Sequence, residues 1–266
     1  MDRSPLKLAF PAILVVLAVL ASFGAAGVAN STTADLARVA RGFQIFFNET
    51  FGGNGRTCGT CHPLTNNFTL DPSFIAALPA SDPLFVSEFN PALAGLEDPV
   101  RLRQFALIRE NADGFDKPAV LRGVPHTLAL ATSVANPAGP RTGWSGDAAP
   151  DASLRQFTVG AIVQHFPRTL NRQPGIDFRL PTDEELDAVE AFMLFLGRQA
   201  DPLLRLPLKG SSANLGQTLF LDNNRGRCNL CHVNAGASTN LGNGSLGNAN
   251  FDTGIRRLTH PAASAG

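Results

Sequence analysis

All four cysteines of this chain lie in two copies of one five-residue pattern, Cys-x-x-Cys-His. The first copy reads CGTCH at residues 58–62, and the second reads CNLCH at residues 228–232. The two copies also hold two of the five histidines in the 266-residue chain. This repetition constrains the fold more than any other feature, because whatever binds two thiols and the adjacent imidazole must be accommodated twice.

Three kinds of chemistry compete for this pattern. A Cys-x-x-Cys disulfide is typical of redox catalysts, which do not need a histidine directly after the second cysteine. A zinc site built from both pairs has suitable spacing, but it leaves both histidines unexplained. Covalent haem attachment uses every residue, because each thiol adds to a porphyrin vinyl group and the adjacent histidine ligates the iron. The pattern therefore predicts two covalently bound haem c groups, attached and ligated by Cys58, Cys61, His62, Cys228, Cys231 and His232.

The N-terminal residues predict export from the cytoplasm. Arg3 and Lys7 come before or at the start of an apolar run from Leu8 to Leu20, and small residues follow it. This layout is typical of a secretory signal peptide, which we assign to residues 1–29. The alternative is an uncleaved membrane anchor over Leu8–Ala29, which is long enough to span a bilayer but is rich in glycine and alanine in its second half. Both interpretations place the rest of the chain outside the cytoplasm, and the signal peptide favours the periplasm.

Charge and composition remove one class of partner and two kinds of mechanism. The chain has 22 basic and 22 acidic residues, and the basic residues form no stripe of the kind that neutralises nucleic-acid phosphates. We therefore expect no nucleic-acid partner. The chain contains no tyrosine, so neither a tyrosinate metal ligand nor a tyrosyl radical is available.

The segments before the two loops repeat each other. Gly42 precedes the first loop and is followed four positions later by phenylalanine, and Gly216 before the second loop shows the same spacing. Apolar residues recur at helical intervals after a candidate N-cap at Thr33. The repeat predicts a duplicated helix followed by a haem loop, with the second helix at residues 211–221. In each copy we expect the glycine to admit another helix and the aromatic ring to cover the haem edge.

This arrangement resembles class I cytochrome c domains, whose N-terminal helix carries a similar Gly-x-x-x-aromatic element before CxxCH. Such domains close with a C-terminal helix that crosses the first. The segment after Thr182 fits that role, because Thr182 and Glu185 form a capping box and acidic residues lie at the helix start. Its apolar positions share one face, at Leu186, Val189, Met193 and Leu196.

The fold class that follows is mostly α, with two cytochrome c-like haem domains. The first domain covers residues 30–200 and contains a long insertion, a Pro- and Leu-rich linker covers 201–210, and the second domain covers 211–266. The residues after His232 contain no amphipathic run able to form a second closing helix. We therefore expect the second domain to be incomplete, with His260 as the only later candidate ligand; the alternative is a short domain capped by another subunit.

Most of the mature chain resembles the bacterial di-haem cytochrome c peroxidase family, which includes its methylamine-utilisation relatives. The family's Arg-x-x-Pro-like segment, Trp-led turn and Ser-Leu-led helix correspond here to Arg122–Pro125, Trp144–Asp147 and Ser153–Leu154. The resemblance implies that the first haem meets hydrogen peroxide or a similar small oxidant, while the second exchanges electrons with a small soluble cytochrome or cupredoxin. It also implies that Trp144 lies between the haems, with an ordinary loop position as the alternative. Calcium is a further candidate cofactor, and a homodimer is a candidate assembly.

The helix that begins near Ser153 carries the candidate distal residues of the first haem. Ser153 and Gln156 fit a capping box, and at about 100° per residue His165 falls on the same buried face as Leu154. His165 is therefore a candidate sixth ligand or proton donor, with a structural histidine as the alternative. The family commonly supplies a glutamate in this helix, whereas Gln156 stands at the corresponding stretch and cannot shuttle a proton at neutral pH.

Two further residues are weaker candidates, and three functions remain open. His126 follows a proline in a predicted turn, and Met193 lies on the packing face of the closing helix, where core packing is favoured over iron ligation. The function implied by the resemblance is peroxidase-like electron transfer in the periplasm. The alternatives are a di-haem electron shuttle without catalysis and a structural zinc protein.

Overall fold

The computed structural model describes residues 32–134, 142, 153–200, 207–233, 239–240 and 246–247. Within these ranges the chain is mostly helical, as predicted, with short strands in two antiparallel pairs. The helices are α1 (Thr33–Asn48), α2 (Cys58–Cys61), α3 (Pro72–Ala76), α4 (Val86–Phe89), α5 (Pro99–Phe105), α6 (Leu130–Ser133), α7 (Leu154–His165), α8 (Asp183–Phe195) and α9 (Ser211–Leu221). One-turn 3-10 helices lie at Leu64–Asn66, Pro83–Phe85, Pro91–Leu93 and Cys228–Leu230. The strands are β1 (Leu107–Glu110), β2 (Val120–Gly123), β3 (Thr239–Asn240) and β4 (Leu246–Gly247).

The chain divides into two compact units, and each holds one CxxCH loop. The CGTCH unit is built from Arg41–Leu128 and Thr158–Phe192. The CNLCH unit is built from the described residues within Met1–Ala40, Ala129–Phe157 and Met193–Asp252. Each loop can therefore be examined in the surroundings that its own unit provides.

In the CGTCH unit, α1 packs against α8 where Gly42 meets Ala188. A Cβ atom added at Gly42 would lie 1.9 Å from the carbonyl oxygen of Ala188, so the approach requires a glycine. Phe46 of α1 and Phe192 of α8 lie beside this contact, with ring centroids 5.3 Å apart in an edge-to-face arrangement. The predicted contact between an opening and a closing helix is confirmed for the first copy.

Capping boxes begin both of these helices. The backbone amide of Glu185 donates to Thr182 Oγ1 at 3.3 Å, and the amide of Thr182 donates to the Glu185 carboxylate at 2.9 Å, as predicted. The cap of α1 is Thr32 and not Thr33, so that prediction was wrong by one residue. Thr32 forms the box because Asp35 lies three residues later: the Asp35 amide donates to Thr32 Oγ1 at 3.2 Å, and the Thr32 amide donates to Asp35 Oδ2 at 3.0 Å.

Buried apolar side chains in the described part of the chain include the packing face of the closing helix and a cluster in the insertion. The predicted packing face of the closing helix is buried at all four positions, Leu186, Val189, Met193 and Leu196. A second cluster lies in the insertion after the first loop, where β1 pairs antiparallel with β2 and Ile108 stands opposite Arg122. This cluster is formed by Leu70, Ile75, Leu84, Phe85, Leu102, Ala106, Ile108 and Val124. The insertion is thus a packed layer against which the first loop can be held.

Among the described residues, no helix is both long enough and apolar enough to cross a membrane. The predicted signal peptide at 1–29 and the alternative anchor at Leu8–Ala29 lie outside the described residues. The linker predicted at 201–210 is described only from residue 207 onward, and His260 lies outside the described ranges.

Candidate functional site

The first CxxCH loop is a single helical turn with a capped start. The amide of Thr57 donates to Thr60 Oγ1 at 2.9 Å, which closes the turn Cys58–Cys61 at its N-terminus. The amide of His62 then donates to the carbonyl oxygen of Cys58 at 2.9 Å. This hydrogen bond fixes the backbone amide of His62 one helical turn after Cys58.

Both cysteines of this loop are half-buried free thiols. Burial raises the pKa of Cys58 to about 12, and the neighbouring Cys61 adds to the effect. Burial also raises the pKa of Cys61 to about 11, against the opposing charge of Arg56. Both side chains are therefore neutral thiols at pH 7.

The imidazole of His62 is held by the carbonyl oxygen of Phe68. Nδ1 of His62 lies 2.9 Å from this oxygen, so Nδ1 donates its proton there and Nε2 is left with the lone pair. Asn67 and Phe68 both adopt the left-handed conformation, with φ of 55° each, and this turn directs the carbonyl back toward the loop. Burial lowers the pKa of His62 to about 4, although the hydrogen bond that Nδ1 donates to the Phe68 carbonyl oxygen opposes this shift. A neutral imidazole with a free Nε2 is the form that ligates a metal.

A buried ion pair stands directly before the loop. Arg56 is 1% exposed, and its guanidinium donates to Glu97 Oε1 at 2.8 Å and to the carbonyl oxygens of Pro83 at 3.1 Å and Leu84 at 2.7 Å. The second carboxylate oxygen of Glu97 accepts from the amide of Arg109 at 2.8 Å. Burial opposes ionisation of Glu97, but Arg56 and the other donors outweigh it, so the pKa of Glu97 lies below its ordinary value. Sequence reasoning missed this pair.

His165 lies at the end of α7 with its side chain 14% exposed, so its predicted inward orientation is confirmed. Its Nδ1 atom is 3.8 Å from Glu97 Oε1 and is buried without a hydrogen-bond partner. The backbone position is fixed, because Asn54 Nδ2 donates to the His165 carbonyl oxygen at 2.9 Å. A charge on His165 lowers the pKa of His62, so the structure brings these two predicted histidines into one electrostatic environment.

The structure assigns no haem-related contact to the other predicted site residues that it describes. The amide of Gln156 donates to Ser153 Oγ at 3.0 Å, which confirms Ser153 as a cap and places Gln156 in the first turn of α7. His126 is exposed, and its Nδ1 accepts from the Leu128 amide at 3.4 Å, which makes it a poor distal candidate. Met193 is buried on the packing face of α8, in agreement with core packing. Trp144 lies outside the described residues.

A cavity of about 220 Å³ borders the first loop. Its lining includes Thr57, Gly59 and Thr60 of the loop with Phe47 and Phe74, and His62 is not part of it. Cofactor pockets usually enclose about 300–1,000 Å³. At about 220 Å³ this cavity is smaller than that range.

The second CxxCH loop forms a 3-10 turn at Cys228–Leu230, whereas the first forms an α-helical turn at Cys58–Cys61, but the two loops share one backbone hydrogen bond. The amide of His232 donates to the carbonyl oxygen of Cys228 at 2.9 Å, and the loop folds back on α9, where an added Cβ at Gly226 would lie 2.0 Å from the Leu219 carbonyl oxygen. Thr239 Oγ1 of β3 donates to the Leu230 carbonyl oxygen at 2.6 Å.

The side chains of the second loop and of α9 are much more exposed. Cys228 and His232 are exposed, Cys231 is half-buried, and α9 contains no buried residue. Within the described part of the chain, a Cβ added at Gly216 would meet no atom within 4 Å, so the predicted close approach of a second helix is wrong there. The exposed apolar side chains of this region include Leu215, Leu221 and Leu230.

Within the ranges that the structure describes, no group of three or more His, Cys, Asp or Glu side chains is placed to hold a metal ion. Covalent haem attachment needs only one imidazole beside two thiols, and this finding does not bear on it.

Comparison with known proteins finds no family model, no curated protein and no solved structure that matches this chain. The function must therefore be argued from the residues and their geometry.

Proposed function

We propose that the chain is an exported di-haem c-type cytochrome that carries electrons and reduces hydrogen peroxide, or a similar small oxidant, at its first haem. The observation that carries this proposal is the first loop, where the free thiols of Cys58 and Cys61 precede an imidazole held by Phe68. The loop thus supplies two attachment points and one directed ligand, His62 Nε2. The second haem would be attached at the CNLCH loop, and its partner would be a small soluble redox protein of the periplasm.

The residues of the first loop fit a covalently attached haem. Each thiol can form a thioether with one vinyl group, and the Phe68 carbonyl oxygen holds His62 in the tautomer that ligates iron through Nε2. Phe46 lies beside the imidazole, with ring centroids 6.0 Å apart, and would protect the proximal side from water. The bound iron would supply the redox chemistry, while these residues attach and orient it.

His165 is the best candidate for a residue on the distal side. Reduction of hydrogen peroxide to two waters consumes two electrons and two protons, and the electrons would come from the soluble donor through the second haem. The protons need a residue that can hold and release one near the peroxide. The side chain of His165 is 14% exposed, and a charge on it lowers the pKa of His62. His165 could therefore pass a proton or ligate the iron as a sixth ligand.

Stopped-flow mixing of the reduced, haem-loaded protein with hydrogen peroxide, under anaerobic conditions, tests this function. We expect both haems to be oxidised, with a second-order rate that depends on peroxide concentration. Reduced haems that persist under peroxide would contradict peroxidase activity and would leave electron transfer as the function.

A non-catalytic electron shuttle is the second candidate, and the residue at position 156 favours it. Gln156 lies in the first turn of α7 and offers an amide where the peroxidase-like family commonly has a glutamate. The two functions differ in the sixth position of the first haem. Carbon monoxide binding to the reduced first haem supports the peroxidase, whereas a spectrum unchanged by carbon monoxide supports the shuttle.

A further inference from the structure

We propose that Glu97 is a positioning residue that holds the imidazole of His165 in one tautomer, with the proton on Nδ1 and the lone pair on Nε2. The carboxylate comes from the segment between the first loop and α5, and not from the helix that carries the histidine. The use of this tautomer at a haem rests on the proposed function, but the pairing of the two side chains can be measured independently of it.

One ring nitrogen of His165 is orphaned. Nδ1 of His165 is buried and has no hydrogen-bond partner, which is a costly state for a buried polar atom. The Glu97 Oε1 atom lies 3.8 Å away, beyond hydrogen-bond distance but within reach of a small rotation of the ring. The backbone need not move, because Asn54 Nδ2 holds the carbonyl oxygens of His165 at 2.9 Å and Pro167 at 3.0 Å.

The carboxylate of Glu97 is a fixed acceptor. Its side chain is 0% exposed, and Arg56 and the Arg109 amide hold its two oxygens, at 2.8 Å each. A carboxylate that is paired with a guanidinium stays ionised and can accept a further hydrogen bond. An acceptor in this position selects the Nδ1–H tautomer of a neutral histidine, as carboxylates do for many functional imidazoles.

The consequence is that Nε2 of His165 is left with a lone pair. That atom can ligate a metal or take up a proton, and Glu97 acts only through the histidine. The CGTCH unit then contains two imidazoles fixed in the same way, because His62 also gives its Nδ1 proton to a protein oxygen, that of Phe68. Glu97 is distant from α7 in the sequence but close to it in space, and it would fix the tautomer of His165. The first turn of α7 itself contains no acidic residue.

The test is ¹⁵N NMR of the matured, full-length protein labelled at histidine. The sample is reduced and placed under carbon monoxide, so that any haem iron is diamagnetic. The chain has five histidines, and His165→Gln identifies the signals of His165 by their loss. We expect a pyrrole-type Nδ1 and a pyridine-type Nε2 at His165 in the wild-type protein. The reverse assignment in the wild type would overturn the proposal.

Removal of the acceptor gives the second measurement. Glu97→Gln should shift the His165 Nδ1 signal away from the pyrrole-type position, toward a mixture of tautomers. Because Glu97→Gln leaves Arg56 with a weaker partner and can impair folding, the double variant Arg56→Met with Glu97→Met removes both buried charges together. Glu88→Gln is the matched control, since Glu88 is a more exposed carboxylate paired with Arg103 and should leave His165 unchanged. An unchanged His165 spectrum in both acceptor variants would also overturn the proposal.

The two proposals fail in different ways. Absence of covalent haem from the protein mass would refute the proposed function, whereas the tautomer of His165 is still measurable in such a protein. Haem attachment with the proton on Nε2 would refute only the role of Glu97.

Discussion

The two CxxCH loops can be compared residue by residue, because the histidine amide donates to the first cysteine carbonyl oxygen at 2.9 Å in both. In the CGTCH unit the cysteines and His62 are half-buried, and the Phe68 carbonyl oxygen holds the imidazole. In the CNLCH unit Cys228 and His232 are exposed. The pattern therefore goes with one shared backbone hydrogen bond, while the chain around each loop determines its burial.

The neighbouring helices differ in the same way. Gly42 of α1 lies against the backbone of α8, whereas the corresponding glycine of α9, Gly216, has open space around it among the described residues. A duplicated helix and loop thus does not by itself produce a duplicated core. The core of the first copy depends on α8 and on the insertion, for which the described part of the second copy shows no equivalent contact.

Loss of haem from one loop at a time is the largest effect that we expect. Replacing Cys58 and Cys61 with alanine should remove one covalently bound haem, and replacing Cys228 and Cys231 should remove the other. Haem staining of a denaturing gel, calibrated against the wild-type protein, measures each loss. Equal staining of the wild type and either double variant would mean that the corresponding loop does not attach haem.

Replacement of His165 distinguishes proton transfer, iron ligation and a structural role for this residue. If His165 passes protons, His165→Ala should lower the rate of peroxide reduction by about 10²–10⁴-fold without changing the iron spin state. If it ligates iron, the same variant should convert one low-spin ferric signal to high spin in the electron paramagnetic resonance spectrum. His126→Ala, at an exposed histidine, should change neither observable. If His165→Ala also changes neither, His165 has only a structural role.

The paired glycines give opposite predictions for stability. Gly42→Ala should lower the free energy of unfolding by about 3 kcal/mol, because the new Cβ would lie 1.9 Å from a backbone oxygen that cannot rotate away. Gly216→Ala should raise it by about 0.5–1 kcal/mol, because alanine is the better helix former at an open position of α9. Denaturant unfolding of the two variants measures both changes. Similar changes in the free energy of unfolding for the two variants would contradict the difference in packing between Gly42 and Gly216.

The smallest effect concerns the start of α8 and depends on pH. The two terminal nitrogens of Arg179 donate to the two carboxylate oxygens of Glu185, at 2.7 and 2.8 Å. This contact holds the pKa of Glu185 below its ordinary value of 4.5. Since the folded state lowers this pKa, the pair stabilises the protein above about pH 4.5, and the contribution is lost as the pH falls through the lowered pKa. Glu185→Gln should therefore cost at most about 1 kcal/mol at pH 7 and nothing near pH 2. Unfolding curves at the two pH values measure the difference, and an equal cost at both would show that the charge of Glu185 does not matter.

Local patterns in the sequence predicted the local structure well. The capping box of Thr182, the buried face of α8, the start and end of α9 and the inward side of His165 all follow from spacing within one helix. The cap of α1 was misplaced because two threonines are adjacent and only the partner aspartate decides between them.

Contacts between distant segments could not be predicted in this way. Arg56 and Glu97 meet across 41 residues, and no periodicity marks Glu97 as a buried carboxylate. The hydrogen bond that His62 donates to the Phe68 carbonyl oxygen depends on a turn. In this turn Asn67 and Phe68 adopt the left-handed conformation, which neither residue type requires. An arginine also precedes the second loop, at Arg227, but it lies one position closer to the first cysteine than Arg56 does and gives no in-register repeat.

The mass of the intact, denatured protein after maturation in a periplasm tests the central claim most directly. The account predicts a polypeptide that carries two covalently bound haem groups, one for each pair of cysteines. A protein of unmodified polypeptide mass, produced where c-type haem is attached normally, would contradict it.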